Sequence, residues 1–413
     1  MTLWGHQDFR RLWVGDTISQ FGVSIGITVI PLLAAGALHA TPFEMGLLAA
    51  ASTMAFLLIG LPAGVWVDRM RRKPLMIAMD VVRAALMLSV PVAWWMGVLD
   101  LPQLVVVSLA IGVCTVFFDV AYQSYLPSLV GREQLVEGNS KLQASLSVAD
   151  VSGPAIGGYV AQFLGAANGV LATGLGYLSS AFFLFRIKAA EPAPERHPDP
   201  HLRREVVEGL RFVFGNPTLR KIVACTGTSN FFHGIQNAVS VLFLLRVAGL
   251  SEGTAGLVFS ASGVGGVLGA VVAHRLGVLL GQARLIWLVP LLTWPFVLLM
   301  PFTKPGWGIA FAMAGLAVSA FGVVVYNVGQ VSYRQAICPD HLLGRMNASI
   351  RWVVWGATPL GALLGGGLGS WIGIVPTLWV SLVGSVAGML WVLFSPLRTM
   401  RDLPTTASVE AHG

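Results

Sequence analysis

The sequence predicts an all-α membrane protein of 12 transmembrane helices arranged as two six-helix bundles. Three observations carry that prediction. Apolar residues fall in runs of bilayer-spanning length, cations gather on one set of connections between the runs, and the second half of the chain repeats features of the first.

Of the 413 residues, 55% are hydrophobic and only 11% charged, and the mean hydropathy is +0.75. That is too apolar for a water-soluble globular domain. An α-helix needs about 20 apolar residues to cross the hydrocarbon core. Runs of that length lie at residues 10–37, 43–67, 74–97, 101–127, 138–164, 168–186, 218–246, 252–274, 283–301, 306–334, 345–371 and 374–395.

The net charge is +7, and its placement argues for topology rather than for a nucleic-acid or acidic-partner surface. With a cytoplasmic N-terminus, one side of the membrane receives Arg10, Arg11, the Arg69 to Lys73 cluster, Arg132, the cations from Lys188 to Lys221, Arg275, Arg284, Arg345, Arg398 and Arg401. The other side receives Arg246 and Lys304. This positive-inside pattern places both termini in the cytoplasm, and an odd number of spans would scramble it. The first span is too long for the apolar region of a cleavable signal and is read as a retained helix. Cys114, Cys225 and Cys338 have neither disulfide-framework nor metal-ligand spacing and are read as structural.

The least membrane-like stretch, around the Pro-rich run from Glu191 to Pro200, divides the chain. The expected domains are an N-terminal bundle at 1–187, a cytoplasmic linker with an amphipathic segment at 188–217, a C-terminal bundle at 218–396 and a cytoplasmic tail at 397–413. In the linker, Leu202, Val206, Leu210 and Val213 share one helical face, which suits the membrane surface. The tail after Leu397 is read as disordered. The halves repeat at a spacing near 208 residues: Asp119, Tyr125 and Asn139 recur as Asn327, Tyr333 and Asn347, and Thr41-Pro42 with Gly46 answers Ser251-Glu252 with Gly256. Six-helix repeats share one orientation in the membrane, which implies an axis along the membrane normal and a central cavity.

Polar side chains in a span are costly against lipid, so their spacing marks the faces that meet water or protein. The first span carries Asp16, Gln20 and Ser24, with Phe21 beside them; the fourth carries Thr115, Asp119 and Tyr122. The seventh carries Thr226, Asn230, His233 and Asn237; the tenth carries Tyr326, Gln330 and Tyr333, with Asn327 and Arg334 alongside. Spacings of 3 and 4 put each set on one face. Interhelical hydrogen bonding alone accounts for single Ser, Thr and Asn residues, whereas Asp16, Asp119 and His233 favour a pathway because intramembrane ionisable groups are rare unless functional. Asp80 and Arg83, three residues apart, can neutralise each other. The sixth, ninth and twelfth spans have few polar side chains and are expected to face lipid.

After the second span stands Gly64-Val65-Trp66-Val67-Asp68-Arg69-Met70-Arg71-Arg72-Lys73. Physically, a small residue permits close helix approach, an Asp can sit at a helix N-terminus, and the cations mark a tight cytoplasmic turn. The stretch resembles the G-x-x-x-D-R-x-G-R-[RK] loop of the major facilitator superfamily, with Arg71 in place of the second Gly. In the fifth span Gly153-Pro154-Ala155-Ile156-Gly157-Gly158 is similar to the core of that superfamily's antiporter motif, a kink plus small residues that let helices approach. Its usual preceding Gly is Ala149 here. Three further stretches resemble the drug and macrolide efflux subgroup: Phe9 to Trp13 with Ser19 to Gly22, Asp80 to Ala84, and Glu208 to Phe212 with Asn216-Pro217.

The resemblance implies a secondary active transporter that exchanges protons for amphipathic, antibiotic-like small molecules by alternating access. Asp16, Asp119 and Asp150 are the candidate proton carriers. Gln20, Phe21, Tyr122, Asn230, His233, Asn237, Tyr326, Asn327 and Gln330 are the candidate cavity residues. Gly64, Asp68, Arg69, Arg72 and Lys73 form the candidate gating loop, and Gly153, Pro154, Gly157 and Gly158 the antiporter-motif helix. The expected partners are a small-molecule substrate, protons and the lipid bilayer of the cell membrane, for a monomer with no cofactor, no metal and no nucleic acid. Import of a metabolite or sugar on the same scaffold is the alternative. An enzyme or ATP-driven pump is disfavoured, because no G-x-x-x-x-G-K-[ST] phosphate loop and no nucleotide-holding domain is present.

Overall fold

A computed structural model describes residues 3–131, 134–189, 202–339 and 342–402; parts of the linker and tail expected at 188–217 and 397–413 lie outside the described residues. The chain is helical, with no strand among the described residues. The first six helices are α1 (Gln7–Leu32), α2 (Pro42–Asp68), α3 (Arg72–Trp95), α4 (Leu101–Val130), α5 (Leu135–Leu164) and α6 (Ala166–Arg186). A linker helix, α7 (Leu202–Gly215), precedes α8 (Pro217–Leu242), α9 (Glu252–Leu280) and α10 (Gln282–Thr293), which continues as a 3-10 segment over Trp294–Phe302. Then follow α11 (Ile309–Ile337), α12 (Leu343–Trp371), α13 (Ile374–Ala387) and the short α14 (Leu390–Leu393). Each of the 12 apolar runs thus coincides with a helix or a helix plus its continuation. Among the described residues, nine have the length and apolar composition to cross a membrane. The runs that fall short, on α5, α8 and α12, mix polar faces with apolar ones.

Local chemistry sets the ends. Thr41 caps α2 in a reciprocal box with Glu44, and Pro42 occupies the first turn, where its missing N–H costs nothing. Asn216 caps α8 without a reciprocal partner, its side-chain oxygen accepting from the N–H groups of Thr218 and Leu219 at 3.0 Å, ahead of Pro217. Between α5 and α6 the chain reverses at Gly165, with φ of 85°, and between α12 and α13 at Gly373, with φ of 89°.

Those two glycines are 208 residues apart, close to the repeat spacing in the sequence. A single π-helical turn closes α1 at Leu33–Ala37 and another closes α8 at Phe243–Val247. The duplication is therefore written in the backbone as well as in side chains.

Two compact units result: Met1–Pro200 with Leu250–Ser260, and His201–Gly249 with Ala261–Gly413. The first turns of α9 thus belong to the first unit. In that unit α1 packs between α5 and α6, at glycine-lined contacts. A Cβ on Gly22 would stand 2.8 Å from the Ala172 carbonyl oxygen, and one on Gly157 would stand 3.0 Å from that of Ile25. With no hydrophobic force between helices in lipid, such close backbone approach is what holds them. The second unit packs α8 between α12 and α13, around Leu219, Ile222, Ile286, Met346 and Ile350.

Two expectations are corrected here. The C-terminal part of the amphipathic face of α7 turns to protein: Val213 is buried, and a Cβ on Gly209 would meet the Arg345 carbonyl oxygen at 2.6 Å, so α7 lies against α12. Burial against a helix satisfies its apolar face as a bilayer would. The side chains of Leu202 and Val206 lie outside the described residues. The tail after Leu397, expected to be disordered, is packed at its start. Met400 packs against the second unit's core, and the Arg401 carbonyl accepts the Ala283 N–H at 3.1 Å, one of the donors that the first turn of α10 leaves open.

Candidate functional site

In the first unit α1, α3, α4 and α6 converge on an ionisable cluster. Asp80 and Arg83, one turn apart on α3, are both buried and form an ion pair. The Arg83 guanidinium also donates to the Thr115 hydroxyl at 3.4 Å and lies over two rings, Phe118 at 4.2 Å and Tyr177 at 4.4 Å. A weakly hydrated planar cation suits that aromatic sandwich. Asp16 on α1 is 9% exposed and lies within electrostatic reach of Asp80, Asp119 and the buried Tyr122 hydroxyl. The Gln20 amide donates to it at 3.5 Å. No cation stands among the partners described for Asp16, because Arg83 is committed to Asp80.

Of the expected first-unit residues, Asp16, Gln20, Asp119 and Tyr122 thus come together, and Phe21 is half-buried on the neighbouring turn of α1. Asp150 lies apart from them on α5, exposed, and accepts from Ser24 at 3.2 Å. The aromatic sandwich was not anticipated. Tyr177 belongs to α6, the sixth span, expected to face lipid; Phe182 and Phe185 are exposed on it, while Thr173, Tyr177 and Ser180 are buried at three- and four-residue spacing. That weak polar stripe was the available signal.

The antiporter-motif residues divide between two partners. Gly153 and Gly157 face α1, with a Cβ on Gly157 meeting Val29 at 3.3 Å. Gly158 faces the start of α9 at Glu252 and Gly256. The kink residue Pro154 precedes Ala155, whose N–H donates to the Ser260 hydroxyl at 2.9 Å, and the Gly253 N–H donates to the Gln162 side chain at 3.1 Å.

In the loop after α2, Arg72 donates to the Ser124 carbonyl at 3.1 Å and Lys73 to the Ile187 carbonyl at 2.5 Å. Lys73 thereby caps the C-terminal end of α6, where a cation complements the helix dipole. Arg69 is exposed, and the side chain of Asp68 lies outside the described residues. Gly64 does not serve the close helix approach read from its small size, since a Cβ there would meet nothing within 4 Å.

In the second unit, the Thr226 and Tyr326 hydroxyls lie 2.8 Å apart, Asn230 donates to the Val354 carbonyl at 3.0 Å, and Gln330 donates to Asn327 at 3.3 Å. His233, Asn237 and Asn327 are exposed. Tyr326 and Gln330, expected to line a cavity, are instead buried, with Tyr326 edge-on to Trp294 inside the second unit's core.

A family model described as Transmembrane secretion effector matches residues 3–412. The chain is 27% identical to the multidrug efflux pump Tap of Mycolicibacterium fortuitum, over 92% of this chain and 94% of that one. It is 24% identical to the enterobactin exporter EntS of Escherichia coli O1:K1 / APEC, over 97% and 94% respectively. The crystal structure of the nucleoside transporter NupG superposes with a TM-score of 0.75 at 10% identity, covering 94% of this chain and 98% of that one.

Proposed function

We propose that this chain, which belongs to the transmembrane secretion effector family of the major facilitator superfamily, exports amphipathic, drug-like small molecules across the cell membrane in exchange for protons. The family makes it a multi-pass membrane transporter of small molecules. Export is supported by the efflux relatives, one a multidrug pump and one an enterobactin exporter.

Proton exchange rests on a single observation, the buried Asp16 carboxyl group. Its described partners are neutral donors, two further carboxyl groups lie in reach, and the neighbouring guanidinium is already paired. A carboxylate so placed is costly to keep charged away from water. A state open to water favours the ion and a closed state favours the acid, so alternating access carries a proton through Asp16, with Asp119 as its neighbour. Asp150, exposed and bonded to Ser24, is a secondary carrier. Gln20, Phe21 and Tyr122 on the first unit and Asn230, His233, Asn237 and Asn327 on the second offer substrate contacts, while Tyr326 and Gln330 position their neighbours from within the core. Arg72 and Lys73 brace the loop that gates the cycle. Both termini are cytoplasmic, and the monomer is the working unit.

The experiment is a proteoliposome assay with an internal pH dye and a panel of cationic dyes and macrolides. Substrate addition should dissipate an imposed proton gradient with wild type and not with Asp16→Asn. Uphill transport without a proton gradient, or greater cellular accumulation in the presence of the protein, would overturn proton exchange and export respectively.

A further inference from the structure

The second unit carries a groove that the transport reading leaves unused. It has a volume of about 710 Å³, and among its walls are Arg220, Lys221, Gly227 and Phe231 of α8, Val353 of α12 and Trp391 of α14, with Phe214 at the end of α7 beside them. We propose that this groove binds one anionic phospholipid, its phosphate held by Arg220 and Lys221 and an acyl chain lying along α8.

Position separates the groove from the transport residues. Arg220, Ala224, Gly227 and Phe231 succeed one another at three- and four-residue spacing and form one stripe of α8. Thr226, Asn230, His233 and Asn237 form another, roughly 120° round the helix at 3.6 residues per turn. Charge selects the occupant. The two cations stand together at one end of the groove, and no acidic residue lines it. Arg220 is exposed, with no side-chain hydrogen bond or ion pair among the described residues. Lys221 donates to the Phe394 carbonyl at the end of α14, which holds its ammonium at the same mouth. Beyond the cations the walls are apolar except for Thr228. Trp391 is fixed by its indole N–H donating to Thr228 at 3.2 Å and is half-exposed, the amphipathic placement such side chains favour near a membrane surface. Gly227 keeps the floor open, since a Cβ there would meet nothing within 4 Å. Basic pockets between transmembrane helices are suited to anionic headgroups. A zwitterionic lipid brings its own cation to compete for the phosphate, so the pair discriminates by headgroup.

The test uses the full chain in detergent, titrated with phosphatidylglycerol or with phosphatidylcholine of the same acyl chains, bound lipid being counted by native mass spectrometry. Wild type should retain one phosphatidylglycerol roughly tenfold more tightly than phosphatidylcholine. Arg220→Gln should weaken phosphatidylglycerol about fivefold and leave phosphatidylcholine unchanged. Gly227→Leu, which directs its side chain into open space, should weaken both lipids without lowering the unfolding temperature in lipid-free detergent. Equal binding of the two lipids, an intact preference in Arg220→Gln, or wild-type retention in Gly227→Leu would each overturn the assignment. Should Arg220→Gln fail to fold, Gly227→Leu decides alone. Glycerol 3-phosphate, which has the phosphate and no chains, should not stabilise the protein, and equal stabilisation by it would make this a free-phosphate site instead.

Discussion

Gly158 on α5 and Gly256 on α9 face each other so closely that a Cβ on either would stand 2.8 Å from the other's Cα. Backbone forms both walls, so neither can yield as a flexible side chain would. Val at Gly158 or Gly256 should cost about 1–3 kcal/mol by overpacking. Gly64→Ala, in open surroundings, should leave the unfolding temperature of the purified protein unchanged or slightly raised. Equal effects at the three positions would refute the close contact.

Arg83 pairs with Asp80 inside an aromatic sandwich, where neither charge can fall back on water. Arg83→Leu should destabilise by about 3–5 kcal/mol, because it strands a buried carboxylate. Changing both Asp80 and Arg83 to Leu should recover much of that loss. Folded yield and thermal unfolding in detergent report both.

Asp16→Asn keeps the shape and removes the titrating proton. Substrate exchange at equal pH on both sides of a proteoliposome should persist, while uphill transport driven by a pH gradient should disappear. Asp150→Asn, at an exposed position, should retain most of the gradient-driven rate. Loss of both modes in Asp16→Asn would point to substrate binding rather than to coupling.

The Thr226 and Tyr326 hydroxyls bond across α8 and α11 at 2.8 Å. A double-mutant cycle with Thr226→Val and Tyr326→Phe should give a coupling of about 0.5–1.5 kcal/mol in unfolding stability. Additive losses would show that the two groups act separately.

Docking of α7 depends on Gly209 more than on its salt bridge. The Glu208 to Arg345 pair, at 2.6 Å, is more than one third exposed on both sides, so Glu208→Gln should cost at most about 1 kcal/mol. Gly209→Val would press on the Ser349 hydroxyl at 2.5 Å and should expose α7 to limited proteolysis. Resistance like that of wild type would contradict the docking.

What the sequence determined by itself was the number, order and ends of the helices, the duplication and the family. Those properties are local or additive: span length follows from bilayer thickness, helix ends from Thr41, Asn216 and their prolines, and the repeat from matched residues at one spacing. Helical spacing also put Asp16 with Gln20 on one face of α1 and Asp119 with Tyr122 on one face of α4, and it predicted that Asp80 would meet Arg83. Only the tertiary structure decided which partners those faces meet. It placed Tyr177 of α6 over Arg83, buried Tyr326 behind Thr226, turned Gly158 toward α9 and left Gly64 in the open. Periodicity says which side of a helix a residue occupies. What stands opposite depends on contacts between segments far apart in the chain, and no spacing along one helix encodes them.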